Sequence, residues 1–152
     1  MNKNMKKILA SVLVITVLAS AGYVAMTRDD ASSSTGPQPL ESPPEGAALV
    51  TVSVPESLSE QAQMGKRIFD AVCADCHGEN AAGRNGMGPP LVHKIYEPSH
   101  HADPAFLLAV RNGVRAHHWR FGNMPPQDGL TGAEVKLITR YIRELQRANG
   151  IE

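Results

Sequence analysis

The chain has 152 residues, and Lys+Arg 15 balances Asp+Glu 15, so a formal net charge of zero gives no pointer to a nucleic-acid or polyanionic partner. Aromatic residues make up only 5%, thin for a domain that must build its own core. The two cysteines lie three positions apart, which excludes a long-range disulfide framework and leaves their spacing as the informative feature.

The first predicted element is a signal-anchor or transmembrane segment within residues 1–30. Lys3, Lys6 and Lys7 form a positive n-region, an apolar run extends from Ile8 to Met26, and Asp29 and Asp30 follow. This pattern keeps the lysines in the cytoplasm and sends the rest of the chain across the membrane. Two readings compete. Ala19-Ser20-Ala21 resembles a small-residue cleavage site. The continuation through Tyr23-Val24-Ala25-Met26 instead approaches the roughly 20 residues of a spanning helix, and the uncleaved anchor is the preferred reading. Either way the domain is expected on the periplasmic side of a bacterial inner membrane.

Residues 31–54 are rich in Ser, Pro, Gly and Ala and are expected to form a flexible linker. A coil of that length has a root-mean-square span of about 27 Å, enough for a tethered domain to swing between neighbours. The alternation of Val50, Val52 and Val54 leaves a short strand open.

From Pro55 the pattern is helical, and residues 55–152 read as one domain. A first helix is expected from near Ser57, with Ser57 and Glu60 as a capping box. Ala62, Gly65, Phe69 and Val72 share one of its faces. A second starts at Asp103-Pro104, an N-cap followed by proline. Phe106, Leu107 and Val110 give it an apolar side, and Asn112-Gly113 ends it. A third starts at Thr131, with Glu134 completing a capping box, and Leu137, Ile138, Tyr141, Ile142 and Leu145 form its stripe before Asn149-Gly150. Between the helices, residues 78–92 and 114–130 form Gly/Pro-rich loops, long for so small a domain. They make sense if they wrap a large apolar group.

Cys73-Ala74-Asp75-Cys76-His77 names that group. C-x-x-C-H is the c-type haem attachment pattern. Thiols at i and i+3 at the end of a helix lie on one side and reach the two vinyl groups on one haem edge. The next residue, His77, then turns towards the iron. A thioredoxin-type dithiol would be expected near a βαβ pattern, which is missing. A structural zinc site would want a second close Cys/His pair, and there is no other cysteine.

The segment from about 57 to 148 resembles the class I c-type cytochromes, the monohaem cytochrome c family. The resemblance implies an all-α cytochrome c fold, three main helices wrapped around one covalently bound haem. It further implies that Gly65 and Tyr141, beside Phe69, mark the crossing of the first and last helices. Gly86-Met87-Gly88-Pro89-Pro90-Leu91 is similar to the family's loop below the haem, where a proline carbonyl, here Pro89, accepts a hydrogen bond from the proximal imidazole. Gly122-Asn123-Met124-Pro125-Pro126 is similar to the distal loop, whose methionine sulfur completes His/Met coordination by His77 and Met124 and raises the potential. Met87 is a weaker competitor, Met64 reads as packing or surface, and His117 or His118 is an alternative distal ligand.

Trp119 either donates its indole N–H to a haem propionate or caps the pocket. Arg115 and Arg120 are candidates to pair with propionates. The pairs His100-His101 and His117-His118 are odd for the family and read either as a solvated surface or as a secondary metal site, copper for instance.

These residues lead to a single-electron carrier, with no enzyme activity and no nucleic acid. Its membrane contact is the N-terminal helix. Its partners are transient redox proteins, such as a quinol-oxidising complex and a terminal oxidase or reductase. The alternative is a haem enzyme or gas sensor with a displaceable distal ligand. A structural or copper-handling module is a third possibility.

Overall fold

Helix α1 spans Glu60–Val72 in the computed structural model, which describes residues 42–152. The anchor segment and the first part of the linker lie outside the described residues. The cap of α1 is Ser59, two residues later than expected, and its Oγ accepts from the Ala62 N–H at 3.2 Å. Glu144 decides the choice. Its carboxylate accepts from Ser59 Oγ at 2.7 Å and from Ser59 N–H at 3.0 Å, so the favoured cap is one the last helix also holds.

A single helical turn, α2 (Ala74–His77), continues from α1 and stops at Gly78, whose φ is 73°. Two 3-10 turns follow at Glu79–Ala81 and Lys94–Tyr96. Helix α3 is Asp103–Asn112, with Pro104 in its first turn. Ala102, not Asp103, occupies the cap position. The Asp103 carboxylate is engaged by Arg143 instead, at 2.8 Å. Helix α4, Gly132–Ala148, has the expected capping box. Thr131 Oγ1 accepts from Glu134 N–H at 3.2 Å, and the Glu134 carboxylate accepts from Thr131 N–H at 2.8 Å.

The core is the seam between α1 and α4. Ala62 and Phe69 meet Ile138, Tyr141, Ile142 and Leu145, with Val92 from the intervening loop. The Phe69 and Tyr141 rings pack edge to face at 5.7 Å, the geometry that their quadrupoles favour. Gly65 permits the approach: a Cβ there would stand 2.0 Å from the Leu137 carbonyl oxygen, so the two backbones touch. Val72 lies past Phe69, the last buried residue of α1, and is 40% exposed although it shares the expected apolar face.

The stretch from Ser42 to Val54, expected as linker, is bound to the domain. Gly46 N–H donates to Asn85 O at 2.9 Å and Leu49 N–H to Ala82 O at 3.1 Å. Asn149 pairs with the Ser53 backbone in both directions at 2.9 Å. Its backbone groups are taken by loop carbonyls and a side-chain amide rather than a sheet edge, so Val50, Val52 and Val54 form no strand. Among the described residues no helix is long and apolar enough to cross a membrane.

On the other side of α4, Arg143 and Gln146 are buried and polar. Arg143 donates to Asp103 Oδ1 at 2.8 Å, Tyr96 O at 2.7 Å, Gln146 Oε1 at 2.6 Å and the carbonyl of His101. Gln146 adds Leu91 O at 2.8 Å and Tyr96 O at 3.0 Å. This network ties the loop between the two long helices to α4, and with it the start of α3.

Candidate haem-binding site

The last turn of α1 carries straight into the cysteine motif. Cys73 N–H donates to Phe69 O at 2.8 Å, and His77 N–H donates to Cys73 O at 2.9 Å. Helical continuity therefore puts the Cys73 and Cys76 side chains one turn apart on the same side. Both cysteines are free, Cys73 partly buried and Cys76 exposed. Burial, and then the neighbouring Cys76, push the Cys73 thiol up to about 11. The attacking thiol of a reactive redox dithiol is shifted the other way. Gly88 sets the next loop hard against the motif, since a Cβ there would lie 2.6 Å from the Cys76 carbonyl oxygen.

His77 makes one decisive contact. Its Nδ1 is 2.9 Å from the carbonyl oxygen of Pro89. A carbonyl only accepts, so Nδ1 carries the proton and Nε2 keeps its lone pair. Burial lowers the His77 pKa, partly opposed by that hydrogen bond, which keeps the ring neutral and ready to ligate a metal. The loop after it is held in unusual backbone. Asn80 and Ala81 have φ of 52° and 58°, left-handed values that cost about 1 kcal/mol for ordinary residues. Tyr141 Oη donates to Asn80 Oδ1 at 3.0 Å and stabilises that turn from the core side.

His77 faces an apolar cavity of about 370 Å³. Phe106, Val110, Val114, Trp119 and Met124 are among the residues that line it. Helix α3 buries none of its residues fully, and Leu108 is 55% exposed, because its apolar side looks into this cavity rather than onto protein. Among the described residues Met124 is the only methionine in the lining. Met87 and Met64 are 44% and 45% exposed and do not reach it. Met124 is fixed through its own backbone: its N–H donates to Val114 O at 3.0 Å and its carbonyl accepts from Val114 N–H at 2.9 Å.

Trp119 also lines the cavity, stacked on Phe121 at 5.8 Å. Its Nε1 is buried and makes no well-formed hydrogen bond, although it lies close enough to the Tyr96 hydroxyl to offset part of the rise that burial causes in that hydroxyl's pKa. A buried indole N–H without a partner costs about 1–3 kcal/mol unless something accepts from it. A haem carboxylate is an acceptor of the right kind. Arg115 and Arg120 are exposed and form no ion pair among the described residues.

The donor set fits haem c. Two thiols share one side of a helix end, a neutral imidazole nitrogen faces an apolar cavity, a thioether stands in the same lining, and an indole N–H has no partner. The four paired histidines cluster instead at the rim. His101, His117 and His118 contribute to the lining. Desolvation first, and then His117, His101 and His100, lower the pKa of His118. What the sequence did not disclose is that these two pairs, far apart along the chain, converge. Nor did it disclose that Arg143 anchors one of them.

Comparison with known proteins identifies the family. The family model for cytochrome c matches residues 62–146. The cbb3-type cytochrome c oxidase subunit CcoP of Azospirillum brasilense is 35% identical over 91 residues, 55% of this chain and 28% of that protein. The chain thus spans less than a third of that protein's length. No solved structure matches the chain. The matched segment runs from the core of α1 through the C-x-x-C-H turn, the cavity and α4, and by it the chain belongs to the cytochrome c family, haem-binding proteins of all-α fold that transfer electrons.

Proposed function

We propose that the protein is a single-electron carrier holding one haem c, attached at Cys73 and Cys76 and ligated by His77 and Met124. The observation that carries the reading is that the neutral nitrogen of His77 and the only methionine in the lining border one apolar cavity. When bound, the haem supplies a one-electron ferric/ferrous couple. The Pro89 carbonyl orients His77 and raises its basicity as a ligand. The Met124 thioether, soft and uncharged, favours the reduced state. Phe106, Val110 and Val114 exclude water, which disfavours the added charge of the oxidised state. Trp119 Nε1 donates to a carboxylate at the cavity edge. Cys76 is exposed, so the edge held there is the one a redox partner approaches.

The carrier works on the periplasmic side of the membrane, tethered by residues 1–30, and exchanges electrons with a quinol-oxidising complex and a terminal oxidase through small, transient contacts. The likeness to an oxidase subunit supports the oxidase as acceptor.

The test is purification from a host competent in cytochrome maturation, followed by mass spectrometry and optical spectroscopy. The expected result is the mass of one haem, a far-red sulfur-to-iron band in the oxidised protein, and no change with carbon monoxide or cyanide. Colourless protein would overturn the assignment. Ready binding of those ligands would replace the carrier by a haem enzyme or gas sensor.

A further inference from the structure

His100 and His101 sit just before α3, and His118 sits in the loop ahead of Met124. A ligating ring nitrogen from each lies within 4.8 Å of the other two. Ring centroids are 4.7 Å apart for His100 and His101, and 5.5 Å for each of them with His118. Three imidazoles bound to one tetrahedral ion at 2.0–2.1 Å have nitrogens about 3.4 Å apart. Rotation of exposed rings supplies the difference.

We propose that His100, His101 and His118 form a binding site for one divalent transition-metal ion of the zinc and copper class, separate from the haem iron. His101 is preorganised for it. Its Nδ1 donates to the carbonyl of Ile95 at 2.7 Å, which leaves Nε2 as the ligand atom, the arrangement that orients histidines around bound metals. Its backbone is also fixed, because its N–H donates to Glu97 O at 2.8 Å and its carbonyl is held by Arg143. His100 N–H donates to the same Glu97 carbonyl at 3.0 Å, so both rings start from one rigid turn. His118 arrives on a loop whose stem is closed by the Val114–Met124 pair. The donors are nitrogen only. Magnesium and calcium want oxygen, whereas imidazole suits zinc, copper and nickel. His100 and His118 are exposed, so the fourth position is open to water.

A solvated surface would let three imidazoles spread apart. A role in holding haem carboxylates would use the same rings, since His101 and His118 border the cavity. The haem-loaded protein therefore distinguishes the readings. After treatment with chelator it is titrated with Zn²⁺, a redox-silent probe, by calorimetry. The expected result is saturable binding of one equivalent in the micromolar range or tighter, with no response to Mg²⁺. His100→Ala and His118→Ala should each weaken binding about tenfold or more, and His100→Ala, outside the cavity lining, should leave the haem spectrum unchanged. Both side chains are exposed, so neither change should impair folding. Absence of saturable binding below millimolar Zn²⁺, or binding that both variants leave intact, would overturn the site.

Discussion

Arg143 on α4 donates through Nε to the Asp103 carboxylate at 2.8 Å, yet the arginine side chain is 7% exposed and the aspartate 69%. The pair is asymmetric. Solvent screens the aspartate's contribution, whereas the arginine also satisfies the carbonyls of Tyr96 and His101 and packs 5.0 Å from the Phe106 ring.

Arg143→Met should therefore destabilise the haem-loaded protein by roughly 2–4 kcal/mol, since it leaves buried carbonyl groups short of donors. Asp103→Asn should cost less than about 1 kcal/mol. Denaturant unfolding of the two variants checks the contrast. Equal losses would mean that the ion pair, not the backbone anchoring, dominates.

Gly65→Ala should be among the most damaging single changes. The new methyl meets the Leu137 carbonyl oxygen at 2.0 Å, a backbone atom that cannot rotate away. Helix propensity would gain about 1 kcal/mol from alanine, but separating α1 from α4 should cost about 3 kcal/mol or more. A thermal midpoint at or above that of the parent protein would show that the helices part without loss.

Met124→Ala should lower the reduction potential by on the order of 100 mV, within the wide range that axial ligands control, and should admit carbon monoxide. Met87→Ala, at an exposed position, should do neither. Potentiometry with the optical spectrum separates the two. An unchanged potential in the Met124 variant would move the sixth ligand elsewhere.

Acid should loosen the junction of α1 and α4 through Glu144. Desolvation acts to raise its pKa, but the Ser59 hydroxyl and N–H, followed by Arg140 and Arg147, outweigh it and hold the carboxyl below its ordinary 4.5. A carboxyl depressed in the folded state contributes stability above its unfolded pKa. That contribution is lost as pH falls through the folded value. Stability measured from pH 7 down to pH 3 should thus decline below about 4.5, with Glu144 contributing roughly 1 kcal/mol or less. Glu144→Gln should flatten that limb, and an identical acid profile would remove Glu144 from the account.

The helices were legible because their boundaries are written in short-range chemistry: Thr131 with Glu134, Pro104 in a first turn, Gly113 and Gly150 after the last turns. The cysteine motif was legible because covalent attachment dictates a fixed spacing. Ser59 was missed as a cap because the residue that selects it, Glu144, is 85 positions away. The docking of residues 42–54 was missed because Ser, Pro and Gly read as linker, although Val52 packs against the core. Low aromatic content suggested a domain without a core of its own, yet Phe69 and Tyr141 concentrate theirs in one seam. Arg143 and Gln146 lie off the apolar stripe that the sequence displays, yet both are buried. With Thr139 they form a polar stripe beside the apolar one, a pattern that the sequence carries but that only burial interprets.

The antiparallel pair between Val114 and Met124 decides which residues of the loop it closes are free to change. Because Met124 itself closes the stem, its backbone is held by Val114 rather than by the exposed side chains of the tip. Exposed Arg115 and Arg120, which do not line the cavity, can therefore be replaced without moving Met124, whereas Trp119 and Phe121 in the same loop are constrained by the cavity that they line.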